Sequence, residues 1–130
     1  MLQLSLAIVG IQYPNKKGLT RRFELEICRE GEPVEFRPEP RNEFDEHAIA
    51  VYSCRGIQIG YLKSERAVLI GSRMRQGHEV TAIFQGLEPW RAWCRVAFDG
   101  EVPALPPAAE TPSSDDDGFW PDQEGGEWGA

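Results

Sequence analysis

Within PRNEFDEHAIAV, residues 40–51, four ionisable side chains crowd one aromatic: Glu43, Asp45, Glu46 and His47 surround Phe44. The apolar run Ala48-Ile49-Ala50-Val51 follows at once. Three chemistries suit such a cluster. Asp45 with His47 could ligate a divalent ion in a nuclease-like centre. Asn42 and Asp45 can accept bonds from neighbouring backbone N–H groups and build a solvated turn feeding the next strand. The third is a ligand-capturing loop; a purely solvated turn has no use for Phe44. Catalysis finds little else to work with. No G-x-x-x-x-G-K-[ST] phosphate loop is present, and only His47 and His78 could serve as the base of a nucleophilic triad.

The cluster needs elements to hold it. Leu2, Leu4, Leu6 and Ile8 alternate with Gln3 and Ser5, so a strand is expected from Leu2 to Tyr13, ended by Pro14-Asn15. In LTRRFELEICREGEP, alternation of Phe23, Leu25 and Ile27 suits a strand. Thr20 as N-cap, Phe23 paired with Ile27, and Gly31 as a stop suit a short helix, which is the preferred reading. Val34 to Arg37 reads as a brief strand. Ala48–Ser53 and Ile57–Leu62 read as a hairpin around Arg55-Gly56, and Ser64 as the cap of a helix stopped by Gly77. Glu79–Gln85 and Arg91–Phe98 complete the set, joined by a turn with Pro89. Five or six short strands with one or two helices predict a mainly β, α+β domain: a strongly curved sheet or a small, partly open barrel.

Charge divides the chain. Residues 1–100 carry all 14 Lys and Arg against 13 acids, near +1, while residues 101–130 hold eight acids and no base. A near-neutral body can bind a few phosphates but cannot grip duplex DNA by charge alone. The expected organisation is a domain over 1–102 and a disordered acidic tail over 103–130, rich in Pro, Gly and Ser. Phe119, Trp120 and Trp128 are unusual in such a tail, as neutral drift or as a short motif that docks onto a protein partner. A second expectation is that the tail folds back onto the domain's own binding face. Three separated cysteines, Cys28, Cys54 and Cys94, argue for a reducing, cytoplasmic setting and for buried thiols, not a disulfide framework or a zinc site. No leader-like or membrane-spanning run is visible, and no cofactor is called for.

PEPRNEFDEHAIAVYSCRGIQIGYL, residues 38–62, closely resembles the signature of the HIRAN domain: an acidic-Pro pair, an Asn, an aromatic-Asp pair, an Asn-Ala-Ile/Val step, a strand, then Gly, an aromatic or His, and Leu. IVGIQY, residues 8–13, looks like that family's first strand, and SERAVLIGSRMRQGHEVTAIF like its helix and following strand. The resemblance implies an OB-like barrel that captures the 3′ end of single-stranded DNA. In its well-studied members the domain is attached to fork-remodelling, helicase-type ATPases of DNA repair. It assigns the bond to the terminal 3′-hydroxyl to Asp45, the end pocket to Phe44 and base stacking to Tyr13. Tyr61 and Lys63 fall where base and phosphate approach, and Phe84 where a later aromatic stacks.

The pattern departs in places. Glu43-Phe44 stands where the family often has Pro-Tyr, which removes a hydroxyl and adds an acid. His47 replaces an Asn, and Gln12 stands where some members have a phosphate-binding Arg. With no ATPase or RING segment in the sequence, the expectation is a stand-alone, bacterial-type binding module and no enzyme. A protein-interaction module on the same barrel is the first rival, and the metal-dependent nuclease the second.

Overall fold

The alternation at the N-terminus makes a strand because one of its faces has a core to meet. In a computed structural model, which describes residues 3–16, 18 and 20–106, Leu6 and Ile8 are buried in the barrel core and Leu4 packs against it. The chain runs β1 (Gln3–Val9), α1 (Arg21–Ile27), β2 (Pro33–Pro38), β3 (Ile49–Tyr52), β4 (Gln58–Leu62), α2 (Ser64–Arg75), β5 (Val80–Leu87) and β6 (Ala92–Phe98). β1 ends at Val9, short of Tyr13, because Gly10 turns the chain at φ 72°.

The strands close in the order β1-β4-β3-β2-β5-β6, with β6 returning to β1. The barrel is closed where a partly open one was expected. Closure rests on two short antiparallel seams: Ile8 and Val9 opposite Leu62 and Tyr61, and Pro33 and Val34 opposite Ile83 and Ala82. At the first seam a Cβ on Gly60 would lie 2.6 Å from the Val9 carbonyl oxygen and 2.7 Å from Ile8 Cγ2. β1 can approach β4 only because that atom is missing. Gly60→Ala is expected to cost at least about 2 kcal/mol by overpacking. A melting curve would read this as a fall of roughly 10 °C.

α1 is a helix, as preferred, and Thr20 Oγ1 accepts from Phe23 N at 3.1 Å. Its buried face is not the expected one. Phe23 and Ile27 are exposed, whereas Arg21, Glu24 and Leu25 are buried. The charged pair turns inward because each member finds a partner there: Arg21 on the Gly10 carbonyl and Asn15, Glu24 on Arg55. α2 begins at Ser64, but Lys63 occupies the cap position and makes no side-chain capping bond. Gly77, at φ 92°, ends it.

β6 is covered on both faces. Its outer side lies beside a strap, residues 101–106, held by Gln3, whose Nε2 donates to Glu101 Oε2 at 2.7 Å and whose Oε1 accepts from Ala104 N at 3.0 Å. Pro103 is buried, so the expected boundary at Val102 falls inside this strap, and the tail from 107 on lies outside the described residues.

The three thiols are free, but only Cys94 is buried; Cys28 is half-buried and Cys54, in the β3–β4 turn, is exposed. Burial, then the Glu24 carboxylate, pushes the Cys28 thiol up to about 11, and burial raises Cys94. An unfolded thiol ionises near 9.0 while folded Cys28 keeps its proton. The unfolded state therefore binds fewer protons in that interval, and stability falls as pH rises from about 9 through about 11. A urea midpoint measured across this window should drop, and Cys28→Ala should flatten part of the fall.

Candidate nucleic-acid interface

The loop between β2 and β3 is built by its own polar side chains. Pro38 and Pro40 withhold two backbone donors, so the ladder cannot continue. The Glu39 N–H donates to the Ala48 carbonyl at 2.9 Å and closes the base of the loop. Inside it, Asn42 Oδ1 accepts from the backbone of Phe44 at 2.9 Å and of Asp45 at 3.1 Å. Asp45 Oδ1 then accepts from His47 N at 2.9 Å, and the Asp45 carbonyl from Ala48 N at 3.0 Å. These are the side-chain turns that Asn42 and Asp45 were expected to make. They hold Asp45 half-buried by one carboxylate oxygen; among the described residues its other oxygen has no partner. Phe44, between them, is thrown outward with 89% of its surface exposed.

Glu39 ties this loop to the barrel. Its Oε1 accepts from Asn42 Nδ2 at 3.0 Å and from the Tyr61 hydroxyl at 2.9 Å. Burial raises the pKa of Tyr61, so the hydroxyl stays a donor to that carboxylate. Sequence reasoning missed Glu39 as a functional residue; an acid trapped between two prolines at a strand mouth was the available signal.

On the other side of Tyr61 stands Arg21, its guanidinium carbon 5.4 Å from the ring centroid. Arg21 is buried, with Nε on Asn15 Oδ1 at 2.9 Å and Nη1 on the Gly10 carbonyl at 2.9 Å. Asn15 Nδ2 in turn donates to the Gln58 carbonyl at 3.0 Å. Arg21 therefore clamps the β1–α1 loop onto β4. Gly10 lies against both ends of the clamp, since a Cβ there would sit 3.6 Å from Arg21 Nη1 and 3.7 Å from Tyr13 Cδ2. Tyr13 is 60% exposed on this loop. Tyr13, Tyr61, Phe44 and Asp45 are thus linked through Arg21 and Glu39, and Lys63 follows Tyr61 by two residues at the start of α2.

The family model described as the HIRAN domain matches residues 1–99. The chain belongs to the HIRAN domain family. The HIRAN fold is also seen by comparison with solved structures. The chain is similar to the HIRAN domain of human HLTF, at TM-score 0.61 and 21% identity, with 74% of each chain covered. It is similar as well to a Lactobacillus plantarum protein solved by a structural genomics consortium, at TM-score 0.60 and 20% identity, covering 75% of this chain and 95% of that one. At such identities the likeness concerns the fold. No curated protein matches the chain.

One expected residue of this HIRAN domain lies elsewhere. Phe84 is 3% exposed and belongs to the core cluster. Its position on β5 sends the ring inward with Ala82, ahead of the register shift between Phe84 and Gly86, so it cannot meet a base. The exposed aromatic of that hairpin is Trp90, 81% exposed in the β5–β6 turn. That turn is joined to α1, next to Arg21, by Arg22 Nη1 on the Pro89 carbonyl at 3.0 Å. An exposed Trp after Pro in a two-strand turn was a readable signal. Gln12, Glu43 and His47 are exposed, and His47 Nε2 lies 3.6 Å from Glu46 Oε2. Among the described residues no three His, Cys, Asp or Glu side chains converge as a metal site. The interface therefore offers exposed rings, one half-committed carboxylate and few cations. Such rings can stack on a flat aromatic group, and the carboxylate can accept a bond from one donor.

Proposed function

We propose that this HIRAN domain is a non-enzymatic module that binds single-stranded DNA at a free 3′ end. The observation that carries the reading is Asp45, anchored by one oxygen, with the other without a partner among the described residues, directly after the exposed Phe44. A carboxylate is acceptor-only, so it rewards a hydroxyl and repels a phosphate in the same place. Asp45 takes the terminal 3′-hydroxyl, Phe44 covers the end and Tyr13 stacks on a base. Tyr61, fixed by Glu39, lines the floor, and Lys63 supplies charge for a phosphate. Trp90 offers a further ring on the adjoining turn.

Stacking on aromatic faces is worth roughly 1–3 kcal/mol per base and demands no sequence. Tyr13→Ala and Phe44→Ala should therefore each weaken a short single strand by about fivefold or more in a fluorescence-anisotropy titration. Unchanged affinity in both would remove the stacking platform from the account. We place such a module in a reducing cytoplasm, where Cys28, Cys54 and Cys94 stay free. No helix among the described residues is long and apolar enough to cross a membrane.

The acidity of the loop favours a second reading. Glu39, Glu43, Asp45 and Glu46 stand within eight residues, with Arg41 the one base among them. A protein-interaction module on the same barrel would use that face for a basic partner, and it would show no affinity for single strands.

A further inference from the structure

The loop that carries Asp45 has a second face. Behind it, Pro40 and Ile49 look across a groove of about 300 Å³ at Gly71 and Met74 of α2. The ionisable side chains that line it are Glu46, His47 and Arg75. Gly71 is buried in the helix interior, where a glycine costs about 1 kcal/mol relative to alanine. A Cβ there would lie 3.3 Å from Arg75 Nη1 and 3.8 Å from Ile49 Cδ1. The helix carries that cost at a position whose side chain would project against Arg75 and Ile49, two residues that line the groove.

We propose that this groove receives the chain's own segment Asp115–Trp120, with the rings of Phe119 and Trp120 between the apolar walls and the three aspartates toward α2. The proposal concerns docking alone and does not depend on the DNA reading. Charge at the groove itself is one base, Arg75 of α2, against one acid, Glu46, while residues 101–130 hold eight acids and no base, so Arg75 is the group that the aspartates would meet. The same charge disfavours the end-binding face, where Glu39, Glu43 and Asp45 would oppose the aspartates. The walls suit aromatic rings, because Met74 is a pliable, polarisable side chain and Pro40 is rigid and flat. Reach is sufficient. The 13 residues from Pro106 to Phe119 extend to about 45 Å at most and span about 20 Å on average when flexible. A body of about 100 residues has a radius of gyration near 13 Å. The chain can therefore travel from the strap around to α2.

The test uses the full chain, labelled with nitrogen-15, and compares it with the double variant Phe119→Ser/Trp120→Ser. Backbone amide shifts should change at Ile49, Gly71, Met74 and Arg75, equally at high protein concentration and after tenfold dilution. Raising salt to about 1 M should shrink the difference, since the Debye length falls to about 3 Å. Three results would overturn the proposal. No change at those amides means an empty groove. Changes at Tyr13, Phe44 and Tyr61 instead mean that the tail sits on the end-binding face. Changes that vanish on dilution mean that the segment comes from a second copy of the chain.

Discussion

Arg55→Ala is expected to destabilise the domain by about 3 kcal/mol, although Arg55 sits in a surface hairpin turn. The reason lies in its partner. Glu24 is fully buried in α1, and Arg55 Nε donates to its Oε2 at 2.7 Å. The bond to Glu24 raises the pKa of Arg55, so the guanidinium holds its charge at every ordinary pH. The other carboxylate oxygen, Oε1, is buried and has no hydrogen-bond partner among the described residues. Truncating Arg55 leaves an uncompensated charge inside the protein, a change that typically costs 3–5 kcal/mol. Its own partial exposure sets the expectation near about 3 kcal/mol, which corresponds to roughly 15 °C in a thermal melt. The double variant Glu24→Leu/Arg55→Leu should recover much of the loss, because it removes both charges together. If Arg55→Ala melts within a few degrees of the parent, the ion pair does not hold α1 to the barrel.

That pair also marks where a sequence stops being readable. The β3–β4 hairpin was legible because its signal is local: Gly56 takes φ 79° in the turn, and its N–H donates to the Ser53 carbonyl at 2.9 Å. α2 was legible for the same reason, with apolar spacing that ends at Gly77. The buried face of α1 was not, since Glu24 turns inward only because Arg55, 31 residues later, waits there. Closure of the barrel was equally hidden, resting on seams between strands far apart in sequence and on the missing side chain of Gly60.

The site divides along the same line. Asn42 and Asp45 carry their turn chemistry in their own side chains and could be read directly. Phe84 misled because alternation gives two faces but not which one is wet, and β5 is packed on its inner side at that position. Glu39 escaped because its role is a bond to Tyr61, 22 residues away. Trp90 escaped because its interest comes from the contact of its turn with α1.

Capture of a 3′ end turns on one oxygen of Asp45. If it accepts a bond from the terminal sugar, the discrimination comes from exchanging a donor for an anion. A 3′-phosphate brings negative charge against a carboxylate and leaves that oxygen without its hydroxyl donor. Losing a hydrogen bond to a charged group alone is worth about 1.5–3 kcal/mol. A loss of at least about tenfold, or 1.4 kcal/mol, is thus the minimum expected. Asp45→Ala removes the repelled group together with the acceptor, so the preference should collapse while the fold stays intact, for the loop keeps its Asn42 and Glu39 bonds. The direct measurement is an anisotropy titration of identical short single strands ending in a 3′-hydroxyl or a 3′-phosphate, with the parent chain and with Asp45→Ala. The parent should prefer the hydroxyl end at least tenfold and the variant hardly at all; equal affinity of the parent for both ends would rule out end capture by Asp45.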